Sequence, residues 1–262
     1  MNRLMKAELY RFRHSGHYFW YVIFGTLFVA AIPFISYLDM LNKNLAVILG
    51  QEVDTVGAMG NTISADVSIM MILMVLPPVI GVISGQLYNK GKLGFYEIMT
   101  GNKPSQIILS KVFTVGLIFF GLTSFALLGF YIYIGAVNGI GSIANPMGKL
   151  VLEMILIAQI TICSVMIMMV EKRPGVAGVM CYMRFLIFDS MGLPFLMWLA
   201  RKMGMETLAT HFAYMSIMNK MQLALHADID KILVLHVVVG FIAEFIIWYI
   251  TIYRSLVKKK ID

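Results

Sequence analysis

Charge is scarce in this chain. Asp, Glu, Lys and Arg make up 13% of its 262 residues, while 60% are hydrophobic. The surface of a soluble domain this size needs more charge than that to face water. Cysteine is scarcer still. Cys163 and Cys181 both fall in apolar stretches, where they read as small buried hydrophobes, leaving no disulfide framework and no metal set. Enzyme signatures are missing as well: there is no GxxxxGKS/T nucleotide loop, HExxH pair, CxxC pair or GxSxG elbow. GNKPS at 101–105 has a glycine and a lysine without the phosphate-loop spacing. With no convincing nucleophile or ligand set, an intramembrane enzyme is disfavoured. The net charge of +7 lies mainly at the ends of apolar segments rather than on an aromatic and basic surface. It therefore reads as membrane topology, not as a nucleic-acid footprint.

What is present is long apolar runs, and the mean hydropathy is +0.82. At about 20 residues per crossing, the sequence divides into six spans: His17–Leu38, Val67–Leu87, Val112–Val137, Leu150–Val170, Val176–Ala200 and Ile232–Tyr253. The first is expected to be a retained span rather than a cleaved signal, because a basic segment precedes a full crossing length. In that segment Met1, Met5, Leu9 and Phe12 recur at helical spacing while Arg3, Lys6 and Arg13 occupy other angles. This predicts an amphipathic helix on the membrane surface. Pro77 and Pro78 remove two amide donors in the middle of span 2 and predict a kink or local unwinding. The EKRPG turn at 171–175 permits a hairpin between spans 4 and 5.

Basic residues set the expected orientation. Lys43, Lys149, Arg201, Lys202, Lys220 and Lys231 fall in the pieces on one side, and Arg184 lies within span 5. The larger basic set falls in the N-terminal segment, 88–111, 171–173 and the tail. By the positive-inside rule both termini are cytoplasmic, and 39–66 and 201–231 are external.

Arg184, Asp189 and Glu244 stand inside apolar spans. A charge at such depth is costly unless it is paired, faces the protein interior or lines a hydrated path. Arg184 and Asp189 are five apart and do not align on an ideal α-helix, so Glu244 of span 6 is the better-placed partner for Arg184. A helix-fixing salt bridge, direct substrate contact and a proton relay are all open roles. His236, near the outer end of span 6, reads as an interface residue rather than a ligand.

The connection 88–111, YNKGKLGFYEIMTGNKPSQIILSK, places Phe95, Tyr96, Ile98 and Met99 beside Glu97 and between lysines. After a polar turn, Ser105 can cap a second short helix containing Ile107, Ile108 and Leu109. Such a projection, apolar and rimmed by charge, suits docking to another protein.

This connection, the basic lead MNRLMKAELYRFRHSG and the polar segment before span 6 together resemble the ABC-2 type permease family over nearly the whole chain. The resemblance implies an all-α membrane protein: a single transmembrane domain over 1–262, with an N-terminal surface helix, six spans and a cytoplasmic coupling segment between spans 2 and 3. It implies no nucleotide-binding domain in this chain. ATP and Mg would be bound and ATP hydrolysed by a separate ABC ATPase dimer, coupled through Phe95, Tyr96, Glu97, Ile98 and Met99. A second permease subunit, identical or related, and membrane lipid would be the other partners. The substrates implied include antimicrobial peptides, drugs, lipidic molecules and polysaccharides, as in bacterial export and lantibiotic immunity. The apolar, methionine-rich spans favour a hydrophobic or amphipathic peptide. The alternative is a non-transporting membrane scaffold or regulatory subunit.

Overall fold

A computed structural model describes residues 2–14, 101–121, 124, 125, 128, 146–171, 173–226 and 229–261. All regular structure among them is helical. Helix α1 is Asn2–His14, α2 Pro104–Gly121, α3 Pro146–Val170 and α4 Pro174–Lys202. Two short helices, α5 Glu206–Met215 and α6 Ile217–His226, precede α7, Lys231–Ile261. Four of these, α2, α3, α4 and α7, are long and apolar enough to cross a membrane. They correspond to spans 3–6 of the sequence reading. Spans 1 and 2, with Pro77 and Pro78, lie outside the described residues, as do the coupling candidates Phe95, Tyr96, Glu97, Ile98 and Met99.

The chain is an all-α, multi-span membrane protein. Leu235, Ile242, Ile246, Ile247 and Ile250 on α7 are exposed, an apolar surface suited to lipid rather than water. At about 1.5 Å per residue, α7 measures about 46 Å, longer than the ~30 Å hydrocarbon layer. It is therefore long enough for its basic end to clear that layer.

Local sequence explains the helix ends. Lys103 is extended, with φ −70° and ψ 141°, and Pro104 opens α2 where its missing amide costs nothing. Gln106 Oε1 accepts the Lys103 amide at 3.4 Å. The α-helix runs to Lys111 and continues through a π-wound stretch, Val112–Gly116, so Ile107, Ile108 and Leu109 are the first turns of the long α2. They do not form the separate short helix expected from Ser105, and Lys103 occupies the cap position. Between α3 and α4, Glu171 Oε1 accepts the Arg173 amide at 3.0 Å, closing the turn that the EKRPG motif anticipates. The turn from α4 to α5 needs Gly204, whose φ of +74° suits glycine. Helix α3 begins at Pro146, earlier than expected, and carries Lys149 into its buried face.

Two apolar clusters stack along α3. Leu152, Leu156, Ile160, Phe185, Ile217, Met221 and Val237 join α3 to α4, α6 and α7. Ile107, Ile108, Val112, Met166, Met169, Ala177, Ile252 and Leu256 join the start of α2, the end of α3, the start of α4 and the end of α7. This second end also receives α1. Phe12 is buried edge-on to Phe119, with ring centroids 6.4 Å apart, and Lys111 Nζ meets Glu8 Oε1 at 2.6 Å. The amphipathic segment is thus clamped along α2, at Lys111 and Phe119, rather than only resting on lipid. Arg173 starts α4 at this same end.

If this end is cytoplasmic, a single cysteine at Arg173 should react with an impermeant maleimide only after cells are opened. One at Glu206 should react in intact cells. Both side chains are exposed, and the native thiols, both buried, would be replaced by alanine. The reverse pattern would reject the orientation. Lys220, nominally in the same external segment, is buried and is unsuitable for labelling.

Candidate intramembrane polar site

The middle of α4 is wound wide: Met183–Gly192 forms a π-helical segment. Pro194 follows it and has no amide hydrogen for the Ser190 carbonyl. Gly192 leaves room for Phe188, since a Cβ there would lie 2.9 Å from the ring's Cδ2. In π winding, hydrogen bonds run from i to i+5, so residues five apart come into register. That brings Arg184 and Asp189 together: Arg184 Nη1 donates to Asp189 Oδ1 at 3.0 Å. The expectation that this spacing separates them fails because the helix there is not ideal.

Glu244 of α7 takes the rest of the guanidinium. Arg184 Nε donates to its Oε1 at 2.9 Å, and Nη2 donates to Oε2 at 3.1 Å. Gln159 Nε2 of α3 adds a bond to Oε2 at 2.7 Å. The guanidinium carbon also stands 5.2 Å from the centre of the Phe185 ring and 5.5 Å from that of Phe188. The three charged residues picked out from the sequence therefore form one site, with Glu244 as the bidentate partner and Asp189 as a second acceptor.

Asp189 does more than pair. Its Oδ2 accepts the Ile217 amide at 2.6 Å, the Met218 amide at 3.3 Å and the Ser216 hydroxyl at 3.4 Å. These are donors at the start of α6, which a helix cannot satisfy internally. A carboxylate from the middle of a span thus caps a helix of the segment expected to be external. The α5–α6 pair consequently folds back against the bundle instead of standing off it. Asn219 Nδ2 donates to the Ala213 carbonyl at 3.0 Å and ties the two short helices together.

Folding back also buries Lys220. Ile217, Lys220, Met221 and Ala224 share the inward stripe of α6. A Cβ on Gly240 would stand 3.3 Å from Lys220 Nζ, so the ammonium lies against bare backbone of α7. Among the described residues it has no hydrogen-bond or ion-pair partner. Burial pushes its amine down to about 8, against the partial opposition of the Asp189 and Glu244 charges.

These groups border a cavity of about 590 Å³. Gln159, Arg184, Lys220 and Glu244 contribute its polar wall, and Leu193, Leu196, Leu235, Val239, Ile247 and Trp248 contribute apolar wall. At its rim, His236 stacks on Tyr214 with centroids 4.9 Å apart, and its Nε2 lies 3.1 Å from His211 Nδ1. Among the described residues no three His, Cys, Asp or Glu side chains form a metal-binding group. The site can hold and orient a molecule by fixed charge and shape.

Lys220 and Gln159 were missed by sequence reasoning. Lys220 had a readable signal, because it falls three residues after Ile217 on an apolar stripe. Gln159 is neutral and polar inside a span, a weaker mark. Compared with family models, curated proteins and solved structures, the chain finds no match in any of the three.

Proposed function

We propose that this chain is the permease subunit of an ATP-driven exporter of the ABC-2 type, moving a hydrophobic or amphipathic substrate. The observation that carries the transport reading is the cavity: a multi-span helical protein holds a space with apolar walls and fixed charges between its span helices and a folded-back helix pair. A scaffold needs no such space. The family expectation draws further support from α1. The Glu8–Lys111 ion pair and the Phe12–Phe119 contact fasten it along the helix that leaves the 88–111 connection. Movement of that connection would reach α2, α3, α4 and α7 through the shared apolar cluster.

In this reading ATP and Mg are bound by a separate ATPase dimer. Its closure displaces 88–111, and two permease subunits rearrange around the substrate path. The double variant Phe95→Asp, Ile98→Asp places two charges in the expected docking patch. We expect unchanged membrane abundance, with loss of the co-purifying ATPase and of substrate-stimulated ATP hydrolysis. Retention of both at wild-type levels would overturn the coupling assignment, and isolation of the wild-type chain with no ATPase would favour the scaffold.

A further inference from the structure

We propose that the cavity binds an amphiphile by its anionic head, with Lys220 as the cation that receives the head and Leu193, Leu196, Val239 and Ile247 as the wall for its apolar body. The choice of charge follows from how the site's groups are already satisfied. Arg184 gives three bonds to carboxylates. Glu244 accepts from Arg184 and Gln159, and Asp189 faces Arg184 and the start of α6. Among the charged groups Lys220 is the exception, 1% exposed and unpartnered among the described residues; the neutral Gln159 Oε1 on the same wall is also buried without a partner. A buried ammonium with no direct bond to a carboxylate is costly, even with the Asp189 and Glu244 charges near enough to offset part of its burial, and a carboxylate or phosphate entering the cavity would supply the missing partner. A charge-assisted bond in such surroundings is stronger than one in water.

Gly240 makes the arrangement possible, because a side chain there would crowd Nζ. The remaining lining is suited to a chain of methylenes, and Trp248 stands beside it. A cationic or purely apolar occupant would leave the ammonium without a partner. The anionic head could belong to an acyl carboxylate or to a phosphate, and both have the same chemistry at Lys220. Calling such a molecule the cargo rests on the exporter reading above, whereas its binding does not.

Binding can be tested on the purified full chain in neutral detergent, without any ATPase. The probes are a brominated fatty acid, a brominated alkyl phosphate and the brominated alcohol of equal chain length. The readout is quenching of Trp248, identified as the signal lost in Trp248→Phe. At least one anionic probe should saturate at a concentration about tenfold below that of the alcohol, the size of one charge-assisted bond. Lys220→Met should abolish that advantage and Lys220→Arg should keep most of it. Preference for one anion over the other identifies the head as carboxylate or phosphate. Equal saturation by the alcohol and both anions in the wild-type chain would overturn the proposal whether or not any variant folds. So would an anion preference that survives Lys220→Met. Either result would leave the ATPase-docking experiment standing.

Discussion

Arg184→Ala is expected to destabilise the folded protein by about 3–5 kcal/mol, the usual cost of removing one partner from a buried ion pair. The substitution leaves Glu244 with only the Gln159 amide. It also takes from Asp189 the one donor that is not part of the α5–α6 segment. Adding Glu244→Ala to Arg184→Ala should recover part of the loss, because an unpaired carboxylate is then no longer buried. Unfolding midpoints in a single detergent, measured for the wild type, both single variants and the double variant, form the required cycle. Two losses that simply add would show that the residues are energetically independent. Asp189→Ala has a second signature. It uncaps α6, so amide exchange should quicken across Ile217–His226, whereas Glu244→Ala should leave that helix protected.

Much of this architecture was legible because the bilayer makes strong demands. Apolar length located the four span helices that the structure describes, and the EKRPG sequence located the hairpin between α3 and α4. Arg184, Asp189 and Glu244 were visible because ionisable groups in apolar runs need a reason. Their geometry was less legible. Residue spacing gives a helical angle only if the winding is known, and the π segment around Asp189 changes which neighbours face each other. The start of α2 departs from the expected Ser105 cap for a related reason. Ser105 looks like a cap, but Pro104 before it already fixes the first turn and leaves Lys103 at the boundary.

Composition marks the segment 201–231 as a polar external piece. Tertiary pairing between Asp189 and the start of α6 draws it back into the bundle, a contact between residues 28 apart that no local pattern encodes. Fixed charge on the cavity wall follows from the same pairing. Without the fold-back, Lys220 would be one more basic residue outside the membrane and would count only towards topology.

Lys220→Met is expected to raise stability, and the gain should depend on pH. Burial lowers the folded-state pKa from the usual 10.5 to about 8. Below the folded value the amine is charged in both states, and folding carries the full penalty, about 3 kcal/mol for a shift of this size. Between the two values the unfolded chain holds the proton and the folded chain has released it. Unfolding therefore takes up a proton, and wild-type stability rises with pH relative to the variant. Above the unfolded value both forms are neutral and the penalty is gone. Methionine has similar length and no charge, so its advantage should be largest at about pH 7 and should shrink steadily towards about pH 10. Thermal unfolding of the two proteins side by side cancels the titration of groups that are not coupled to Lys220. A constant gap across that range would mean that burial does not hold the amine down. A variant less stable than wild type at neutral pH would mean that the ammonium has a structural partner, which would also remove the basis for an anionic ligand. The expected result has the opposite meaning: a cation kept where it weakens the fold, beside a cavity its charge can serve, is better explained by what it binds than by what it supports.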